Sequence, residues 1–503
     1  MKRLFHLAWL CLVLSACAPF ALAADKAPTL PDFPATPQGE LGRSLLAALN
    51  AADAQERDKF AADRFSERAL KNQPAAAWAA QLNRLSRQGR PLAVGGVSVE
   101  AANILGIRVH SPDNHWARLV LFSDRKQADK IGNLFILPIM SPEEEKKTTF
   151  PAKKMTEAQV IKTIDQQISA RAALDRFSGS VLVAKGDRVI LRRAVGMAEK
   201  SYQVPNTPST RYHLGSMDKM FTGVAIAQLV QQGKLSFDDT LAKVLPDFPD
   251  QAMAEKVTIH QLLTHTAGTG DFIAHPDFHV KRDQLRRLSD HIPLIANQPL
   301  YFVPGARFSY SNSGYLLLGL VIERLSGESY ENYVARQLFQ PAGMTSTSYP
   351  ELNAVVANRA TGYLRDADED PMGIGPYRSN IFILGIKGNS VGGGYSNVDD
   401  LFAFSKAIKS GKLLDKQLMQ TVLAGKVRMV GAGEEGDYGY GFTTRTVGGK
   451  TIRGQSGGGA SSGVNSNMEM FEDGSYTVIV MGNYDAPAAQ QLNTAICEFL
   501  ALQ

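Results

Sequence analysis

The sequence predicts an α+β chain built as two parts, and three observations carry that. Residues 155–503 show strand alternation near both ends and helical spacing between them. A shorter stretch, residues 40–140, runs from helical spacing into four alternating segments. A charged stretch with two prolines, residues 141–154, separates them and reads as a linker. The larger part is expected to form an antiparallel sheet flanked by helices and closed by its two termini, with a helical insert.

The chain has 503 residues, 44% hydrophobic and 20% charged, which is ordinary for soluble globular protein. A net charge of +5 is mild at this length, and no basic stripe interleaves with aromatics. Nucleic acid is therefore not an expected partner. Residues 1–24 read as an export signal, with Lys2 and Arg3, an apolar run, and a small-x-small site at Ala21-Leu22-Ala23. A second reading of the same stretch is a lipid anchor at Cys17, because Leu14-Ser15-Ala16-Cys17 resembles a bacterial lipobox. The apolar residues that continue through Ala24 favour simple cleavage. Either way the expectation is a periplasmic or secreted protein. Cys497 is the one cysteine beyond the leader, so no intrachain disulfide is expected, and no later run is long enough for a membrane span.

Residues 25–39 carry four prolines and read as a linker. Residues 40–90 are Ala-rich and helical in pattern, and strands are expected at 94–100, 104–109, 116–122 and 134–139. By element order and size this part resembles the NTF2-like (SnoaL-like) folds. In the larger part a helix is expected over 156–175. Strands follow at 179–185 and 187–195, joined through Gly186-Asp187. Residues 236–300 read as mostly helical, with further helices over 315–338 and 397–410. Strands return at 438–446, 450–455, 464–471 and 476–483 before a last helix over 487–500.

The chemistry is read from three places. Leu214-Gly215-Ser216-Met217-Asp218-Lys219 opens an apolar helix that Gly233 ends. Lys219 lies one turn beyond Ser216 on the same face. A serine hydroxyl needs a base and a stabilised oxyanion, and a helix N-terminus with a nearby lysine can supply both. The same spacing at Ser123–Lys126 has no buried helix behind it, so Ser-x-x-Lys alone says little. Tyr310-Ser311-Asn312 precedes another apolar helix, and its loop position suits a phenol and an amide placed side by side. Gly454-Gln455-Ser456-Gly457-Gly458-Gly459 reads as the end of a strand, where glycines let a backbone approach a ligand.

Four blocks in order then make a specific resemblance. His213-Leu-Gly-Ser216-Met-Asp-Lys219, Leu262-Leu-Thr-His-Thr-Ala-Gly268, Pro304-Gly-x-x-Phe-x-Tyr-Ser-Asn312 and Val391-Gly-Gly-Gly-Tyr-Ser-x-x-x-Asp-Leu401 resemble the serine β-lactamase-related family. That family includes class C β-lactamases, penicillin-binding DD-peptidases, esterases and D-aminopeptidases. The resemblance implies a β-lactamase/transpeptidase-like fold over about 155–500. It implies Ser216 as the acylated nucleophile, Lys219 and Tyr310 as the proton-transfer pair, and Asn312 as the residue that positions lysine and substrate. The N–H groups of Ser216 and Gly458 would form the oxyanion hole. No metal or organic cofactor is implied, and the partner is a small or peptide-like substrate. One departure stands out: Gln455-Ser456-Gly457 occupies the place of Lys-Thr-Gly or His-x-Gly. An uncharged Gln455 favours a neutral ester or amide over a β-lactam carboxylate. β-Lactamase or D-amino-acid peptidase activity, and a non-catalytic sensor that keeps the fold, are the alternatives.

Two other readings are weaker. Gly-x-Ser-x-Gly occurs around Ser390 and Ser456, but the last histidine is His291, so no triad histidine follows either serine. His275-x-x-x-His279 has zinc-like spacing, but Pro276 interrupts it.

Overall fold

The computed structural model describes residues 33–365, 369–429, 436–459 and 461–503. The leader and its Cys17 lie outside them. The described chain divides into two compact units, one of residues 33–149 with 365 and 369–378, the other of 150–364 with 379–429, 436–459 and 461–503.

In the first unit four helices, Pro37–Asn50, Ala54–Arg64, Glu67–Asn72 and Ala75–Gly89, precede a four-stranded sheet in sequential antiparallel order. The strands are Ala93–Ala101, Ile104–His110, Trp116–Ser123 and Ile131–Ile139. Leu45, Leu82, Leu105, Leu119 and Leu121 are fully buried between helices and sheet. Met372 joins this core from the 365–378 segment, and Gln88 binds Asp370 of that segment at 3.0 Å. Both stretches read as linkers contain helix, and the division between the units falls at 149/150, within the second. Residues 25–39 already contain the start of the first helix, capped by Thr36. Residues 141–154 contain the helix Pro142–Thr148, closed by a capping box between Ser141 and Glu144.

In the second unit an eight-stranded antiparallel sheet carries Gly179–Lys185 and Arg188–Val195 at one edge. Tyr476–Gly482, Val464–Phe471, Lys450–Gly459 and Thr443–Val447 follow in spatial order. The chain's last helix, Ala488–Ala501, and Glu157–Ala173 pack on one face through Ile164, Val181, Val480 and Ile496. The helical insert packs on the other. Its centre is Asp218–Gln231, in which every residue from Lys219 to Leu229 except Gln228 is fully buried, although Gln228 too is buried. A helix apolar all round belongs inside, and burying Phe221, Val224 and Leu229 contributes about 1.5–3 kcal/mol each. The β-lactamase/transpeptidase-like fold is therefore present, with the sheet closed by both ends of the unit.

Three local expectations change. The helix expected over 315–338 begins at Asn312 and stops at Ser326, where Gly327 takes φ 75° as a left-handed cap. The strand expected over 438–446 is interrupted between Tyr438 and Thr443, where Gly441 adopts φ 84°. The strand expected over 450–455 runs on to Gly459, so the glycine-rich stretch forms its end and stays paired with Val464–Phe471 through Gly459↔Val464.

Candidate active site

Ser216 sits in a short 3-10 turn, Gly215–Met217, that feeds the buried helix. Gly215 has φ 54°, a conformation glycine adopts without a Cβ penalty. The neighbouring His213 holds it there, its Nδ1 accepting the Gly215 N–H at 3.0 Å. Burial pushes the His213 pKa down to about 4, so the ring is neutral at pH 7.

Lys219 is fully buried. Its Nζ donates to Val391 O at 2.8 Å and Asn312 Oδ1 at 2.9 Å, and lies 3.1 Å from Ser216 Oγ. Two fixed acceptors thus aim the amine at the hydroxyl. The helix supplies the spacing, and Val391 and Asn312 come from distant parts of the chain. Asn312 is set in turn by Asp271, whose Oδ2 accepts from Asn312 Nδ2 at 2.8 Å.

Tyr310 joins this group: Lys219 Nζ lies 4.9 Å from its ring centroid. The Tyr310 ring also packs on His265, 4.2 Å between centroids. His265 adopts φ 57° and its Nδ1 accepts the Ser311 N–H at 3.1 Å. Burial holds the His265 pKa well below the usual imidazole range, and the Lys219 charge adds to that.

The Lys450–Gly459 strand lies against the Ser216 turn. A Cβ on Gly457 would stand 1.9 Å from Leu214 O and 2.7 Å from Ser216 N. A Cβ on Gly215 would stand 2.5 Å from Gly458 N. No side chain fits in either place, so the glycines are required by a backbone-to-backbone approach. Beyond Gly454 this edge is released from Thr443–Val447, whose pairing ends at Thr443↔Gly454. Gln455 shares the Gly457 face, as residues two apart on a strand do, and is 4% exposed with no partner for Oε1. Ser456 points to the opposite face.

The structure therefore gathers Ser216, Lys219, Tyr310, Asn312, Gly457 and Gly458 around one point, with Gln455 on the adjoining strand face. It adds Val391, Asp271 and Asp218, which the sequence reading did not single out. Asp218 is fully buried, and its Oδ2 accepts the Gly394 N–H at 2.7 Å. That bond ties the Gly392-Gly393-Gly394 run beside the turn. Burial raises the Asp218 pKa to about 7, against the Gly394 and Tyr349 hydrogen bonds and the Lys219 charge.

The arrangement is of the kind found in serine hydrolases of the β-lactamase and penicillin-binding-protein fold, and the comparisons agree with that class. The chain belongs to the beta-lactamase family, which it matches over residues 164–501. The Bacillus subtilis protein PbpX, which carries the name of a penicillin-binding protein, is 28% identical over 60% of this chain and 72% of its own length. Two further curated relatives are matched over 59% and 37% of their own length. The penicillin binding protein of Bacillus halodurans is 31% identical, with TM-score 0.58, over 69% of this chain and all of that one. A D-stereospecific amidohydrolase from Streptomyces shares the fold at 24% identity and TM-score 0.56, over 68% of this chain and 98% of that one.

Proposed function

We propose that the protein is an exported serine hydrolase that cleaves an ester or amide through an acyl-enzyme on Ser216. The observation that carries this is the hydrogen-bonded line Asn312–Lys219–Ser216 beside the Gly457–Gly458 backbone. Ser216 Oγ attacks the substrate carbonyl carbon. Its proton passes to the Tyr310–Lys219 pair and on to the leaving alcohol or amine as the C–O or C–N bond breaks. The N–H groups of Ser216 and Gly458 receive the oxyanion of each tetrahedral intermediate. Water then attacks the acyl-ester, the same pair returns a proton to Oγ, and the acid leaves.

Neutral Gln455 supports an ester or amide without a carboxylate beside the scissile bond, in preference to penicillins. The relatives named for penicillin binding and for D-stereospecific amide hydrolysis mark the neighbouring alternatives. The leader sequence at residues 1–24 supports a periplasmic or secreted location. Among the described residues no helix is long and apolar enough to cross a membrane.

The test is turnover of p-nitrophenyl acetate by the wild type and by Ser216→Ala. The reading expects the variant to lose about 10³-fold or more in kcat. Equal slow turnover in both proteins contradicts it and favours a non-catalytic role for the fold.

A further inference from the structure

The fourth sequence block, which starts at Val391, supplies no side chain to the chemistry proposed above. Its backbone supplies one group, Val391 O, which accepts from Lys219 Nζ at 2.8 Å. A main-chain carbonyl aims an amine only as well as its own peptide is held. Whatever holds residues 390–394 therefore helps to place Lys219.

Three side chains of the helix Asp218–Gln231 meet this loop. Asp218 Oδ2 accepts the Gly394 N–H at 2.7 Å, Lys219 donates to Val391 O, and Thr222 Oγ1 donates to Ser390 O at 2.7 Å. Positions 218, 219 and 222 share one helix face, since residues three and four apart are neighbours. As the helix advances from 218 to 222, the loop partner steps back from 394 to 390. The loop thus runs back along the first turn of the helix. Asp218 and Thr222 grip it on either side of the carbonyl that Lys219 uses.

Both grips are backed by further contacts. Asp218, Thr222 and Ser390 are fully buried. Tyr349 Oη donates to Asp218 Oδ1 at 3.2 Å. Thr222 Oγ1 lies 2.8 Å from Tyr330 Oη. A carbonyl only accepts, so Thr222 gives its proton to Ser390 O and Tyr330 is the donor in this second pair. The loop has no slack. A Cβ on Gly392 would stand 2.8 Å from Gly215 O, and one on Gly394 would stand 2.8 Å from Asp218 Oδ1. Gly394 O also accepts the Leu214 N–H at 2.8 Å, which joins the loop to the Ser216 turn.

We propose that Asp218 and Thr222 are positioning residues for the acyl transfer: they fix the Val391 carbonyl, and through it hold the Lys219 amine on Ser216 Oγ. Both act through Val391 and Lys219, not on the substrate. The inference rests on the acyl-enzyme reading above. It gives the amine a second support beside the Asp271–Asn312 one. A misplacement of about 1 Å can cost about 10²-fold in rate, so the loss of a grip should appear in kcat and not in KM.

The experiment measures p-nitrophenyl acetate turnover per active site in the full chain, with sites counted by exhaustive fluorophosphonate labelling of Ser216. Unfolded chains then drop out of the count. Thr222→Val removes the hydroxyl at nearly constant shape, and Asp218→Leu removes the acceptor for Gly394. Each is expected to lower kcat by about tenfold or more with KM within about twofold, and either decides the matter if the other does not fold. Thr222→Ser, which keeps the hydroxyl, should stay within about threefold of the wild type. Tyr330→Phe removes the contact behind Thr222 but spares the bond to Ser390. It should lower the thermal midpoint and leave kcat within about twofold. Wild-type kcat in either folded Thr222→Val or Asp218→Leu overturns this inference, and so does a Tyr330→Phe loss as large as that of Thr222→Val. In both cases Ser216-dependent turnover in the wild type leaves the acyl-enzyme reading standing. Its absence in the wild type overturns both.

Discussion

His265 holds Tyr310 by the peptide on either side of it. The His265 carbonyl accepts the Ser309 N–H at 2.8 Å, its Nδ1 accepts the Ser311 N–H at 3.1 Å, and its ring packs on the phenol ring between them. Replacing His265 with phenylalanine keeps a ring but strands the Ser311 N–H, at a cost of about 1–3 kcal/mol for an unsatisfied buried donor. His265→Phe is expected to lower kcat for p-nitrophenyl acetate by more than about tenfold while KM stays within about twofold. An unchanged kcat would separate His265 from the placement of Tyr310.

Lys219 is a buried amine whose removal should divide activity from stability. Lys219→Met is expected to lower kcat by about 10³-fold, because the group facing Ser216 is gone. Removing the buried charge relieves its desolvation cost, but Asn312 Oδ1 and Val391 O each lose a donor, at about 1–3 kcal/mol apiece. Thermal unfolding should therefore show a midpoint only modestly below that of the wild type. A variant that keeps most of the rate would remove Lys219 from proton transfer.

Gly457 has no room for a side chain. Gly457→Ala places a Cβ against Leu214 O and Ser216 N, so the strand must retreat from the turn. Overpacking of this kind costs about 1–3 kcal/mol, and losing one oxyanion donor costs about 10²–10³-fold in kcat. Both losses should be read together, by urea unfolding and acetate turnover. Full activity would show that this approach does not serve the oxyanion.

Asp218 makes stability depend on pH. Its folded pKa, about 7, lies above the ordinary aspartate value of 3.8, so the folded state binds this proton more tightly than the unfolded chain does. That contribution is complete below the unfolded pKa and disappears as pH climbs through about 4 to 7. Asp218→Asn removes it. Urea unfolding at pH 4.5 and 7.5 should show the wild type losing stability relative to Asp218→Asn at the higher pH. The difference should be up to about 3 kcal/mol. Parallel pH profiles for the two proteins would contradict this origin.

Gln455 tests the missing cation. Gln455→Lys puts an ammonium on the Gly457 face of the strand, where a substrate carboxylate would meet it. Acylation by benzylpenicillin is expected to accelerate by about tenfold. An unchanged rate would mean that Gln455 is not what disfavours penicillins.

Much of this site was legible because its side chains announce themselves. Ser216, Lys219, Tyr310 and Asn312 stand in blocks with recognisable spacing, and the apolar run after Ser216 marked a buried helix. Val391 was not legible as a partner of Lys219, since a main-chain carbonyl has no side-chain signature. Asp271 lay in a loop whose shape no periodicity reports, and its role depends on where Asn312 falls. The strand expected over 450–455 falls short of Gly459 because glycine disfavours strands. Pairing with Val464–Phe471 overrides that propensity. The helix at Pro142–Thr148 was hidden by its charge, although Ser141 and Glu144 carried a capping-box signal.

The central claim is that Ser216 is a nucleophile able to hold an acyl-type adduct. Incubation of the full chain with a fluorophosphonate, followed by intact and peptide mass analysis, tests it most directly. The account predicts one added phosphonyl group, located on Ser216, and none on Ser216→Ala. No adduct on the wild type, or one on any other residue, would contradict it.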